Sequence, residues 1–269
     1  YIMKSKVVIP FRWPGGKYYA IKLLRAFWEN HDHNEYREPF FGGGSVFFAK
    51  DKVEHNWIND IDVDLVNTLK VMQDATTRTQ LADMYRDEYE ATPESYAVVK
   101  NMTPQSNLER AYKYYYLNRT SYSGKMLNPS WGYRPKRSLP PRRWHERILP
   151  CGQKLEGVKI TSVDFSEVML ADSENRVLIF VDPPYYNAKQ YVHSFVEEDH
   201  KRLAEVCKQT KHDFFLTYDD CPEIRELYSW AYIYDLKFYY RLDNSRDNDD
   251  KRQIGSELVI TNFEVNFNK

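Results

Sequence analysis

Residues 177–185 read Val-Leu-Ile-Phe-Val-Asp-Pro-Pro-Tyr. The run Val177–Val181 is apolar at every position, so it lacks the alternation of a strand with one wet face. Such a strand is covered on both sides, as in a parallel sheet flanked by helices. It then delivers an acid, two prolines and an aromatic ring to its carboxyl end, the edge where open α/β sheets hold their ligands.

Working outward, further strands are expected near Tyr36–Phe41, His55–Asn59, Val158–Val163, Asp213–Thr217, Tyr232–Leu236 and Glu257–Thr261. Helical periodicity fills gaps between them at Lys17–Trp28, Asp62–Gln73 and Glu197–Gln209. Strands alternating with helices predict an α/β fold, a mixed, mostly parallel sheet with helices on both faces. Between Ala75 and Gly152 the rhythm fails. Residues Ala111–Arg147 hold nine Lys/Arg against one acid, Glu146, with six tyrosines and two tryptophans interleaved and four prolines breaking any long helix. Cations for phosphates and flat rings for bases suit a nucleic-acid-reading insertion; a solvated basic loop is the plain alternative. The expected organisation is an α/β domain formed by 1–74 and 153–269, with a mainly helical and loop-rich nucleic-acid-binding domain, 75–152, inserted into it. A second basic stretch, Tyr239–Arg252, is offset by its own aspartates.

The 269 residues carry a net charge of −1, so the charge of the whole chain names no partner. Aromatics make up 16%, including 22 tyrosines, which suits either a Tyr-rich core or surfaces that stack planar ligands. Cys151, Cys207 and Cys221 are odd in number and lack CxxC spacing, so neither a disulfide framework nor a zinc site is indicated. No stretch suggests a signal peptide or a membrane span, and a reduced intracellular compartment is expected. His31-Asp32-His33 reads as a solvated loop, and no metal is called for.

Three short stretches carry chemistry. Glu38–Ser45, EPFFGGGS, follows a strand, and its glycines allow close approach of the backbone to a ligand; its spacing fits neither the P-loop nor the dinucleotide fingerprint, which favours a ligand without phosphates. Asp60 ends the next strand, where an acid can accept hydrogen bonds from a ribose, or where it caps a helix. In Asp182-Pro183-Pro184-Tyr185 the prolines remove N–H donors, so carbonyls and a carboxylate are presented together. That acceptor set grips an amino group on a planar ring, and Tyr185 offers the ring a face. The plain alternative is a strand ending in a Pro-Pro turn.

The order of these elements resembles the Dam-like, D12 class of DNA adenine-N6 methyltransferases over almost the whole chain. Phe11–Lys17, FRWPGGK, is similar to that family's N-terminal F-x-W-x-G-G-K element; Leu117–Gly124, LNRTSYSG, resembles the start of its recognition hairpin. Val163-Asp164-Phe165, Phe195–Leu203 and Glu257–Phe263 match its later motifs. The resemblance implies a Rossmann-like, S-adenosyl-L-methionine-dependent methyltransferase fold. By carry-over, Trp13 and Lys17 border the cofactor, Glu38, Phe40, Gly42, Gly43, Gly44 and Ser45 hold its methionine end, and Asp60 takes its ribose. Asp164 and Phe165 frame its adenine, and Asp182 touches it as well.

Asp182, Pro183, Pro184 and Tyr185 form the catalytic set that receives adenine flipped out of double-stranded DNA. Asn118, Arg119, Tyr122, Lys125, Arg134, Lys136 and Arg137 are the implied DNA contacts. Gly124–Asn128, GKMLN, lacks the arginine that GATC-reading members carry there, so the likeness does not extend to the target sequence. Alternatives are an amino methyltransferase acting on cytosine N4 or on a protein glutamine, and an inactive DNA-binding relative. Expected partners are DNA and, in a restriction-modification pair, a cognate endonuclease. A monomer in the bacterial cytoplasm, encoded by the cell or by a phage, with no membrane contact, completes the reading.

Overall fold

The computed structural model describes residues 7–13, 17, 20–186, 194–240 and 253–265, and the side chains of 237–240 and 253–256 fall outside that description. Pro14–Gly16 of the N-terminal element and residues 241–252 of the second basic stretch therefore lie outside the described residues.

All seven expected strands occur: β1 (Glu35–Glu38), β2 (His55–Asn59), β3 (Lys159–Thr161), β4 (Val177–Val181), β5 (Asp213–Asp219), β6 (Tyr232–Tyr240) and β7 (Gln253–Thr261). They form one sheet in the order β3-β2-β1-β4-β5-β7-β6. The pairings from β3 through to β5 are parallel, and β7 inserts antiparallel between β5 and β6. This is the Rossmann-like arrangement expected, with the strand order reversing between β1 and β4. In doubly wound sheets the crevice at that reversal is where ligands bind. β4 is buried at all five positions, as its unbroken apolar run requires.

Helices α1 (Ile21–Leu24) and α2 (Ala26–Glu29) replace the single expected helix Lys17–Trp28. The short α3 (Ser45–Ala49) follows the glycine loop. In α4 (Val63–Gln73), Asp62 caps the start by accepting from the Asp64 and Leu65 amides at 2.9 and 3.2 Å, which satisfies two of the orphan donors of the first turn. Leu65, Leu69 and Met72 then recur at helical spacing and are fully buried.

The insertion is mainly helical, as expected: α5 (Ala75–Asp83), α6 (Pro93–Asn101), α7 (Asn107–Thr120) and α8 (His145–Leu155). α7 and α8 pack on α4, and a single hydrophobic cluster runs from the sheet into the insertion. The aromatic rings assigned to base stacking are mostly its core instead. Tyr85, Tyr115 and Tyr116 surround Trp144 with ring centres 4.8, 5.5 and 5.5 Å away, and Tyr114 and Tyr133 are buried too. Edge-to-face aromatic contacts of this kind add to the burial of large apolar area. Tyr122 is the ring of this group that stays exposed.

On the other side of the sheet lie α9 (Phe165–Leu170), α10 (Glu197–Gln209) and α11 (Pro222–Leu227). A second apolar cluster joins α9 and α10 to β4 and β5. The loop His31–His33 is half-buried rather than solvated at its histidines: His31 Nε2 lies 2.9 Å from Asp213 Oδ2, and its ring packs 4.8 Å from Phe263. Asp213 opens β5, so this pair anchors the edge of the sheet opposite the strands' carboxyl ends.

Candidate active site

Three strand ends meet around one buried amide. Asn59, 2% exposed at the end of β2, donates to the carbonyls of Pro39 and Val163 at 3.0 Å each and accepts from Thr161 Oγ1 and the Val163 amide. It therefore sets the spacing of the loops after β1, β2 and β3. Next to it, Asp60 Oδ2 accepts the Gly42 amide at 2.8 Å and Oδ1 accepts the Asp62 amide at 2.9 Å. The helix-capping duty weighed for Asp60 belongs to Asp62; Asp60 ties the second loop to the glycine loop.

That loop is shaped by close approach. Gly44 has φ +67°, and a Cβ there would lie 2.3 Å from the Phe41 ring. A Cβ on Gly43 would lie 2.8 Å from Trp13 Cβ, so Trp13 rests on the loop backbone. Ser45, buried, opens α3. Glu38 is 1% exposed at the end of β1 and accepts the Tyr36 hydroxyl at 2.9 Å. Burial raises its carboxyl well above the usual carboxylate range, and the charge of Asp182 pushes it further up.

β4 carries Asp182 to the same crevice. Asp182 Oδ1 accepts from Thr217 Oγ1 at 2.7 Å and lies 2.9 Å from Lys17 Nζ. The Lys17 ammonium also stands 4.5 Å above the centre of the Tyr185 ring and 3.9 Å from Glu257 Oε2. Tyr185 packs 6.1 Å from Tyr218, and the Tyr186 amide donates to Asp219 Oδ1 at 3.0 Å. The tetrapeptide is thus held by consecutive residues at the end of β5.

On the far side, Asp164 caps α9 through the Ser166 amide and receives both arms of Arg202 at 2.9 and 2.6 Å. The Arg202 hydrogen bonds hold its carboxyl down to about 2. Arg202 also lies 4.2 Å over the Phe165 ring, and Phe40, Phe165 and Phe195 form an aromatic group with centres 5.3 to 5.9 Å apart.

These groups line a cavity of about 300 Å³. Its wall includes Trp13, Lys17, Glu38, Phe40, Gly42 to Ser45, Asp60, Asp164, Phe165 and Asp182 to Pro184, and it is closed on one side by Gly124–Leu127 of the insertion. Every residue expected around the cofactor is therefore brought to one cavity, with Tyr185 adjoining it across Lys17. Phe195 and Arg202 lay inside a motif recognised in the sequence without being singled out; Asn59 and Thr217 had no local signal.

The expected DNA contacts divide. Arg134, Lys136 and Arg137 are exposed on the loop after a hairpin closed by a bridge between Ser121 and Trp131; Tyr122 is exposed at its start, and Lys125 is half-buried at the cavity. Asn118 and Arg119 turn inward. Asn118, 0% exposed, accepts the Arg12 amide and donates to the Arg12 carbonyl, both at 2.8 Å, while Arg119 donates to the Pro10 carbonyl at 3.3 Å. Both clamp the N-terminal segment onto α7, and a side chain committed in this way is not available to a base edge. Among the described residues no helix is long and apolar enough to cross a membrane.

Comparison with known proteins agrees with this construction. The chain is 26% identical over 265 residues to the Type II methyltransferase M.CviBI of Paramecium bursaria Chlorella virus NC1A, spanning 94% of this chain and 98% of that protein. It is 30% identical over 239 residues to the DNA N-6-adenine-methyltransferase of Escherichia phage P1, covering 81% of this chain but 30% of the phage protein. Identity is 26% to the Type II methyltransferase M1.LlaDCHI of Lactococcus lactis subsp. cremoris, across 97% of this chain and 98% of that one. Residues 13–241 match the profile described as D12 class N6 adenine-specific DNA methyltransferase. The chain belongs to that family, as a site-specific DNA adenine methyltransferase.

Proposed function

We propose that the cavity at the β1–β4 reversal holds S-adenosyl-L-methionine and that the Asp182–Tyr185 segment receives adenine swung out of the duplex. The observation that carries this reading is the placement of Asp182 on the wall of an acid-lined cavity that also contains Glu38 and Asp60. A volume of about 300 Å³ stands at the lower end of the range of small-molecule sites. The donor set fits the group: a buried carboxyl at Glu38 suits an ammonium, Asp60 suits ribose hydroxyls, and Phe40, Phe165 and Phe195 suit a flat base. When bound, the cofactor supplies a methyl group activated on a sulfonium.

The chain's own residues do the rest. Adenine N6 is out of reach inside a duplex, so the nucleotide must leave the stack at a cost of a few kcal/mol. Stacking on Tyr185 returns roughly 1–3 kcal/mol of that. Asp182 and the Pro183 carbonyl accept the two N6 hydrogens, which turns nitrogen lone-pair density away from the ring and fixes the direction of attack. Preorganised orientation and electrostatics carry the rate. Lys17 supports this reading, because its ammonium donates to Asp182 while standing over the Tyr185 ring. The amino group of the base takes that place once Lys17 withdraws. Arg134, Lys136, Arg137, Lys125 and Tyr122 meet the DNA.

The test is Asp182→Asn in single-turnover methyl transfer. A loss on the order of 10²-fold is expected, with cofactor affinity changed much less. Near-normal single-turnover rates would remove Asp182 from the role.

A further inference from the structure

We infer that Thr217 is the positioning residue that orients the Asp182 carboxylate for the amino group of the base, an inference that rests on the role given to Asp182 above. Thr217 lies on β5, 0% exposed, and the parallel register pairs Val181 with Leu216, so the next residues of the two strands, Asp182 and Thr217, emerge side by side at the sheet's carboxyl edge. The Thr217 hydroxyl donates to Asp182 Oδ1 at 2.7 Å.

Within β5 the buried run is Phe214, Phe215, Leu216, Thr217 and Tyr218, so Thr217 is a small polar residue among large apolar and aromatic ones. Valine would fill the same β-branched volume without bringing a hydroxyl into the core. Threonine at this site places its one hydroxyl hydrogen on the carboxylate. Lys17 also converges on Oδ1, at 2.9 Å, so these two donors leave Oδ2 as the oxygen they do not engage. The two grips differ in permanence. Lys17 stands over the ring face that the base needs, whereas Thr217 is built into the sheet and remains when the base enters. One fixed hydrogen bond restrains the carboxylate about its terminal torsion, which is otherwise broad. The acceptor oxygen is then already aimed when N6 arrives.

The experiment compares Thr217→Val, Thr217→Ser, Asp182→Asn and the Thr217→Val/Asp182→Asn double variant. Single-turnover methyl transfer, KM for DNA and cofactor affinity are measured on protein whose fold is checked by circular dichroism and melting. Thr217→Val is expected to lower the single-turnover rate on the order of tenfold or more, with KM and cofactor affinity within about twofold. Thr217→Ser, which keeps the hydroxyl, should return to within about threefold of the parent. The double variant should be no slower than Asp182→Asn, since Thr217 acts through that carboxylate. If Thr217→Val is fully active while Asp182→Asn is slow, the positioning role is refuted and the role of Asp182 stands. If Asp182→Asn is itself fully active, both fall together. Equal losses in the valine and serine variants, or losses that simply add in the double variant, would make Thr217 a packing residue and overturn the inference.

Discussion

Glu38→Gln should move cofactor affinity and protein stability in different directions. Glu38 is 1% exposed, and its described partners are the Tyr36 hydroxyl at 2.9 Å, which an amide oxygen can accept equally well, and the Phe47 amide. The substitution therefore keeps the hydrogen bond from Tyr36 and removes the carboxyl that cofactor binding would ionise. A charged hydrogen bond to the ammonium of the cofactor is worth about 1.5–3 kcal/mol, so the dissociation constant of S-adenosyl-L-methionine should rise about ten- to 150-fold. The unliganded protein loses a carboxyl that burial strongly disfavours in its ionised form, so its stability at neutral pH should equal or exceed that of the parent.

The pH dependence follows from the same group. Its folded value is raised by burial above an unfolded value of about 4.3. The stability it contributes is complete below the unfolded value and is lost as pH climbs through the raised folded one. That downward slope should be absent in Glu38→Gln. Affinity in the parent should increase over the same window, because binding an ammonium favours the ionised carboxylate and releases a proton. Titration calorimetry in two buffers of different ionisation enthalpy, with thermal melts across pH, reads all of these. Unchanged affinity in Glu38→Gln, with no proton released by the parent, would refute the assignment of the methionine end to Glu38.

Gly44→Ala places a Cβ 2.3 Å from the Phe41 ring at φ +67°; a strain of about 1–3 kcal/mol should appear as a lower melting temperature together with weaker cofactor binding. Asn118→Ala removes the acceptor of the half-buried Arg12 amide and the donor to its carbonyl; urea titration should show a loss of roughly 1–3 kcal/mol, while the sequence preference of the remaining folded protein stays the same. If Arg134, Lys136 and Arg137 all meet phosphates, replacing the three with alanine should flatten the slope of log affinity against log salt by roughly 2.7, read by fluorescence anisotropy on cognate and scrambled duplexes. An arginine among them that reads a guanine should instead relax preference at one base pair by roughly 1–3 kcal/mol.

What could be read in the sequence was whatever a short window determines. β4 announced itself because five apolar residues in a row leave no wet face, and the glycine loop because three glycines in a row after a strand allow close approach of the backbone to a ligand. β1 was less plain. Glu35, Arg37 and Glu38 are charged, yet the strand is buried throughout, because Arg37 meets Glu35 at 2.6 Å and the carbonyls of Val168 and Ala171 at 2.8 and 2.7 Å. The two carbonyls lie more than 130 residues away, beyond any local pattern. The same reason explains Asn118 and Arg119: the resemblance implied DNA contacts, but the segment Pro10–Arg12 that turns them inward is over 100 residues distant. The tyrosines of the insertion went the same way, since spacing alone does not tell a stacking surface from a core. Thr217 was invisible until the β4–β5 register set it beside Asp182.

The most direct measurement is to methylate duplex DNA with isotopically labelled S-adenosyl-L-methionine, digest it to nucleosides and identify the labelled product. The roles proposed for Asp182, the Pro183 carbonyl and the Tyr185 ring predict label in N6-methyladenine, formed by Asp182→Asn on the order of 10²-fold more slowly. Label in N4-methylcytosine, or an undiminished yield from Asp182→Asn, would contradict the account.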